Sequence, residues 1–168
     1  MGKAEDGRPG VVPALVRTSF LVDSVYTAAA RDHGITPQQG QLLCVLMAHP
    51  HGMGELGEVL HLARSSLTGL VDRTARLGLV ARSTDARDAR AVRVALTAPG
   101  SEVAAAFYLD TSRRVAALGA DLAPAERARL AQLLWQVLAA NEVPEVFLAP
   151  AAGGPAAVPD EGDTPTPG

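Results

Sequence analysis

The stretch that decides the fold covers residues 54–100 and has the sequence GELGEVLHLARSSLTGLVDRTARLGLVARSTDARDARAVRVALTAPG. Apolar residues at helical spacing predict a short helix over about 54–61 and a second over about 64–77, which Gly78 ends. The period then changes, because residues 79–83 and 91–96 are short runs with β-branched side chains. The polar and charged residues between these runs predict a hairpin whose loop is longer than a tight turn.

Two further helices are predicted upstream of this stretch. Apolar positions at helical spacing indicate a helix over about 14–33, for which Gly34 is a suitable C-cap. The tetrapeptide Thr36-Pro37-Gln38-Gln39 has the pattern of a capping box with proline at the first helical position. It opens a helix over about 37–48, after which Pro50 and Gly52 break the chain.

Two more helices are predicted downstream. Thr97 caps a long alanine-rich helix that reaches about Gly119, and Pro124 opens a last helix with a broad apolar stripe. Both helices are too apolar on one face to stand alone, and a second copy of the chain is the simplest way to cover them. We therefore expect a homodimer, with Trp135 of the last helix in its core.

This order of elements is the layout of a winged helix-turn-helix: a mainly α fold with a small β-hairpin wing and an α-helical dimerisation region. The first short helix braces the second, whose outer face enters the major groove of double-stranded DNA. Arginines at the hairpin tip can enter the minor groove. Asp85 and Asp88 are expected to support the wing by ion pairs. The predicted DNA-binding residues are Arg64, Ser65, Ser66, Thr68, Gly69, Arg73, Arg87 and Arg90.

The charge distribution agrees with a local anion-binding face. The chain has a net charge of −3, which excludes a uniformly basic coat. Residues 64–93 nevertheless hold seven arginines and three acids, so this segment carries +4 and the remainder −7. A cationic stretch in an acidic chain is typical of a phosphate-binding surface, although a solvated charged face is the simpler alternative.

Four motifs make the chain resemble the MarR family of bacterial transcription regulators. They are SSLTGLVDR at 65–73, LGLVAR at 77–82, DARDARA at 85–91 and LTAPG at 96–100, in the order and spacing of that family. The resemblance covers about residues 14–140. It implies an obligate homodimer, held by the first and the last two helices, that binds pseudo-palindromic operators, usually as a repressor. It also implies release of DNA by a small, often aromatic or acidic, ligand.

Three positions depart from the family pattern. The wing has Asp88-Ala89-Arg90 where Asp-Arg-Arg is usual, so one arginine is missing and Arg87 is expected to replace its charge. Ala63 and Ala123 stand where a polar helix cap is common. Unless Ser65 takes over, the second short helix is weakened by about 1 kcal/mol at its start. These departures leave an alternative open: a winged-helix dimer that binds a small molecule or protein partner without specific DNA binding.

Effector binding is expected on the first helix, near the junction where relatives hold their ligands. The candidates are Arg17, Phe20, Asp23 and Tyr26. An arginine beside aromatic rings suits an organic carboxylate. The alternative is that Phe20 and Tyr26 belong to the core and that Arg17 pairs with a surface acid.

Other chemistries find little support in the sequence. His49, His51 and His61 flank a turn, but their spacing matches no zinc motif, so neither a metal nor a cofactor is predicted. Cys44 lies among apolar residues and is expected to be a buried, inert thiol. A nucleophile elbow and a glycine-rich phosphate loop are both lacking, so the protein is not expected to be an enzyme.

The composition also sets the expected domain organisation and location. No apolar run reaches the ~20 residues of a membrane span, and the first ten residues lack the apolar core of a secretory signal. A soluble, cytoplasmic protein without a membrane partner is predicted. The proposed division is a flexible N-terminus (1–12), a MarR-like domain (13–147) with its winged helix-turn-helix (37–97) and dimerisation helices (13–36 and 98–147), and a disordered Pro/Gly-rich tail (148–168).

Overall fold

The computed structural model describes residues 10–84 and 92–141, which form six helices and three strands. The predicted tail lies outside these residues, as does most of the predicted flexible N-terminus. The expected fold class, mainly α with a small antiparallel sheet, is confirmed. In chain order the elements are α1 (Val11–Asp32), α2 (Pro37–Leu46), β1 (His51–Gly52), α3 (Met53–Val59), α4 (Arg64–Arg76), β2 (Val80–Thr84), β3 (Val92–Leu96), α5 (Ala98–Ala117) and α6 (Pro124–Ala139).

The helix ends follow the local signals in the sequence. At the start of α2 the Thr36 hydroxyl accepts a hydrogen bond from the Gln39 amide, and the Gln39 side chain accepts one from the Thr36 amide. Gly34 and Gly78 take the left-handed conformation (φ +68° and +71°) directly after the C-caps of α1 and α4. The predicted capping box and both predicted glycine stops are therefore confirmed. Helix α1 begins at Val11, earlier than its periodicity indicated.

The sheet has the order β1-β3-β2, with antiparallel pairing throughout. Strands β2 and β3 form the predicted hairpin, with Val80 opposite Leu96. Strand β1 was not predicted: His51 pairs with Val94 where Pro50 and Gly52 suggested only a chain break. A strand of two residues is too short to show an alternating pattern in the sequence. It is recognised only by its pairing with the distant β3.

The hydrophobic core lies where α2, α3, α4 and the sheet meet the middle of α5. Leu42, Leu56, Leu67 and Phe107 are fully buried within it. Helix α5 reaches α2 closely because Gly40 has no side chain: a Cβ there would lie 2.5 Å from the Phe107 ring. The α5 helix thus joins the winged part of the chain to its helical part.

Ion pairs fasten the end of α1 to α5. The Arg114 guanidinium lies 2.6 Å from the Asp32 carboxylate and 2.8 Å from that of Asp110. The hydrogen bond from Arg114 holds the pKa of Asp110 below its usual range. His33 also approaches Asp110, at 3.4 Å. These groups fix the angle at which α1 leaves the core.

Helix α6 and the first half of α1 carry large apolar side chains on the surface. None of the residues of α6 is buried against the other described residues, and Trp135 is 57% exposed. The first half of α1 also has no buried residue, and Phe20 is 70% exposed. None of the helices within residues 10–84 and 92–141 is both long and apolar enough to cross a membrane.

Candidate nucleic-acid interface

A short turn sets α4 against its bracing helix α3. The amide of Leu62 donates to the carbonyl of Gly57 at 3.0 Å, and His61 between them takes a positive φ of 50°. Leu56 of α3 and Leu67 of α4 are buried on either side of this turn. The chain therefore enters α4 at a fixed angle, with one face of the helix in the core.

The opposite face of α4 is open to solvent. Leu67, Leu70, Val71 and Thr74 point into the core, which leaves the predicted DNA-binding residues Arg64, Ser65, Ser66, Thr68, Gly69 and Arg73 together on the outer, largely exposed face. The small side chains and the glycine allow close approach to a groove. The sequence pattern predicted this orientation, because a helix with one apolar stripe turns that stripe to the core and leaves its other face in solvent.

Polar contacts within α4 shape this face. The Thr68 hydroxyl donates to the Arg64 carbonyl at 2.8 Å. The Arg73 guanidinium folds back over Gly69, where an added Cβ would lie 3.1 Å from it. Gly69 therefore leaves room for the Arg73 side chain. At the start of the helix Ala63 makes no side-chain cap, as its residue type predicted, and Ser65 does not replace it within the described hydrogen bonds.

An ion pair that the sequence did not predict connects α4 to the sheet. The Arg82 guanidinium of β2 donates to the Asp72 carboxylate of α4 at 2.5 Å. The two residues are ten positions apart in the sequence and lie on different elements. The pair orients the base of the hairpin relative to the helix. The predicted wing residues Asp85, Arg87, Asp88 and Arg90 lie outside the described residues.

The histidines before α3 form a packed cluster at the other edge of the sheet. The rings of His49 and His51 lie 4.0 Å apart between centroids, and His51 Nδ1 lies 3.7 Å from a Glu55 oxygen. Burial, followed by the proximity of His49, lowers the pKa of His51. The Glu55 carboxylate accepts a hydrogen bond from the Gly52 amide at 2.7 Å, and this hydrogen bond lowers the pKa of the Glu55 carboxyl. Among the described residues no three such side chains are placed to hold a metal ion.

Cys44 lies buried in α2, as its neighbours in the sequence predicted. Burial raises the pKa of its thiol to about 12. The reactive thiolate is therefore strongly disfavoured at neutral pH.

A cleft of about 570 Å³ lies between α1 and the side of the winged part formed by α2 and the end of α3. Of the four predicted effector residues, it is lined by Asp23 and Tyr26 but by neither Arg17 nor Phe20. The reason is helical phase. At 3.6 residues per turn, Arg17 projects about 180° and Phe20 about 120° away from Tyr26. The four residues are therefore not brought together. The lining residues are Leu15, Thr18, Ser19, Val22, Asp23, Tyr26, Gln41, Val45, Val59, Leu60 and His61.

A bracing helix, an exposed arginine-bearing helix and an adjoining antiparallel sheet together define a winged helix-turn-helix protein. The model of the MarR family matches residues 33–91, which contain α2, β1, α3, α4 and β2. The chain is similar to MarR-family transcriptional regulators, and the resemblance found in the sequence is confirmed. Its relatives and its fold are those of regulators, not of enzymes.

Individual proteins support this assignment. The chain is 29% identical over 106 residues to the uncharacterized HTH-type transcriptional regulator YkoM of Bacillus subtilis, covering 62% of this chain and 69% of YkoM. It is 37% identical over 93 residues to the transcriptional activatory protein BadR of Rhodopseudomonas palustris, covering 53% of each protein. The crystal structure of apo MarR from E. coli superposes with a TM-score of 0.71 at 25% identity, covering 79% of this chain and 99% of MarR.

Proposed function

We propose that the chain is a homodimeric repressor that binds a pseudo-palindromic operator and leaves it when a small molecule binds. The observation that carries the proposal is the outer face of α4, where arginines and small polar side chains lie opposite a buried, mainly apolar inner face. Such a helix matches the major groove in width and charge. The Asp72–Arg82 pair supports the proposal because it would hold the wing beside that groove. We place this activity in the cytoplasm.

Dimerisation is supported by the uncovered faces of α1 and α6. A monomer rarely exposes a contiguous apolar surface of this kind. Six large apolar residues of α6 are more than one-third exposed: Leu130, Leu133, Leu134, Trp135, Val137 and Leu138. A second copy of the chain would cover them and would place two α4 helices on one side of the dimer, as a two-fold symmetric operator requires.

Release by a ligand is supported by the position of the cleft. Val59, Leu60 and His61 line it and lie within the turn that sets the angle of α4. A ligand that favours a different angle would change the distance between the two α4 helices. DNA and ligand would then oppose each other by one coupling free energy.

A mobility-shift titration with the DNA upstream of the gene, against unrelated competitor DNA, tests the function. Arg64→Ala and Arg73→Ala should each weaken specific binding about tenfold. Each should also lower the slope of log affinity against log salt concentration by about one, because one phosphate contact is lost. Arg31→Ala, which removes an exposed arginine from the last turn of α1, is the matched control and should bind as the wild type does. Equal affinity in all four proteins would contradict the assigned face.

A second candidate is a winged-helix dimer that binds a small molecule or a protein without specific DNA binding. The uncapped start of α4 at Ala63 favours it, because a frayed recognition helix would bind a groove poorly. Weak binding, identical on upstream and unrelated DNA, would support this candidate against the repressor.

A further inference from the structure

The charges that line the cleft are of one kind. Among its described lining residues Asp23 is the only carboxylate, and lysine and arginine are both absent. His61 is the only other ionisable group apart from the Tyr26 phenol. The arginine expected to receive an acidic ligand, Arg17, projects from the opposite side of α1. A carboxylate in this cleft would lose water and gain no cation in return.

Tyr26 reinforces this preference. It follows Asp23 by three residues, so the two side chains are neighbours on one face of α1. Burial raises the pKa of the Tyr26 phenol well above its usual range, so the side chain stays neutral. The face of a neutral aromatic ring carries negative potential and attracts cations. The ring is held in place by an edge contact with Phe107, at 6.1 Å between centroids.

The rest of the cleft is mainly apolar, although Thr18, Ser19 and Gln41 also line it. Leu15 and Val22 of α1 face Val45 of α2 and Leu60 at the end of α3. The volume of about 570 Å³ lies in the range of sites that enclose small organic ligands. The walls can therefore cover a hydrocarbon or aromatic body, while the one carboxylate lies at the exposed side of the cleft.

We propose that the cleft takes an amphiphilic organic amine, with its ammonium group on Asp23 beside the Tyr26 ring and its apolar body among Leu15, Val22, Val45 and Leu60. This inference deepens the effector site proposed above and rests on it. It replaces the acidic ligand expected from Arg17 by a ligand of the opposite charge.

Three probes with one skeleton test the charge preference: naphthylmethylamine, naphthylmethanol and naphthoate, titrated into the full chain by calorimetry at neutral pH. The amine should bind about three- to tenfold more tightly than the alcohol, as an ion pair near the surface allows, and the carboxylate should bind most weakly. Equal affinities, a preference for naphthoate, or no measurable binding of the amine would overturn the proposal.

Variants of Asp23 test whether its carboxylate causes the preference for the amine. Asp23→Asn should reduce the affinity for the amine to that for the alcohol and leave the alcohol unchanged, while Asp23→Glu should keep the preference. Glu102→Gln removes one exposed carboxylate from α5, outside the cleft, and should change none of the three affinities. An amine preference that survives in Asp23→Asn would overturn the assignment.

A parallel measurement separates this inference from the proposed function. Amine binding is read without DNA, so a chain that fails to bind any operator still reports on the cleft. If the amine binds through Asp23 and operator affinity falls, both proposals are supported. If it binds through Asp23 and operator affinity is unchanged, the ligand class is supported and release by this ligand is contradicted.

Discussion

The winged part of the molecule, α2 to β3, buries its large apolar residues. The helical part, α1 with α6, leaves many of them exposed. In the winged part Leu42, Leu56 and Leu67 are fully buried within one chain. In the helical part Phe20 and Trp135 stay more than half exposed, although their helices are long and regular. The winged part buries these leucines in a core that α5 of the same chain completes, whereas α6 and the first half of α1 leave large apolar side chains on the surface. The proposed dimer would therefore depend on a different part of the chain from the core that stabilises the fold.

The largest expected effect falls on the core of the winged part. Leu67→Ala should lower the free energy of unfolding by about 3 kcal/mol, because it leaves a cavity where α3 and α4 meet. Urea unfolding at several protein concentrations measures this loss, which should appear at each of them. Leu77→Ala, at a leucine that is 54% exposed at the end of α4, is the control and should cost less than about 1 kcal/mol. Equal costs would show that Leu67 is not a core residue.

The next effect falls on assembly and should leave the winged part folded. Leu134→Glu places a charge on the apolar face of α6 and should weaken self-association more than about tenfold, because the charge would have to be buried. Sedimentation equilibrium measures the association, and circular dichroism checks the helix content. Gln132→Glu adds the same charge at a polar position of α6 and should dimerise nearly as the wild type. An unchanged dimer in Leu134→Glu would mean that α6 is not covered by the second copy.

A smaller effect compares two helix starts within the winged part. Thr36→Ala removes the capping box of α2 and should cost about 1 kcal/mol, whereas Ala63→Ser adds a missing cap to α4 and should gain about 0.5–1 kcal/mol. Ala63 already has the extended backbone of an N-cap, with φ −61° and ψ 148°. Thermal unfolding of both variants measures the difference. A loss of stability in Ala63→Ser would show that α4 begins elsewhere.

The smallest effect is a pH dependence centred on β1. The pKa of His51 is lowered in the folded chain, so the native state binds fewer protons than the unfolded state just below about pH 6.5. The stabilisation is complete above that pH and is lost as the pH falls through the folded pKa. His51→Gln should reduce the slope of stability between pH 7 and pH 5. His61→Asn removes a histidine whose backbone φ of 50° asparagine tolerates, and should preserve the slope. An unchanged slope in His51→Gln would show that other groups cause the pH dependence.

How much the sequence could predict depends on the distance along the chain between the residues that interact. The capping box at Thr36, the glycine stops at Gly34 and Gly78 and the outer face of α4 depend on neighbouring residues, so each could be predicted locally. Strand β1 and the Asp72–Arg82 pair depend on contacts between distant segments, which no local period reveals. The residue types of Arg17 and Phe20 suit an organic carboxylate, but their angle around α1 places them away from the cleft. The type of a residue is therefore insufficient until its helical phase is known.

Hydroxyl-radical footprinting on the DNA upstream of the gene tests the proposed dimeric regulator, because it detects the contacts of both α4 helices at once. We expect two symmetric protected tracts about one helical turn apart, both lost in Arg73→Ala. A single tract, or protection that Arg73→Ala leaves unchanged, would contradict a dimeric regulator that reads DNA through α4.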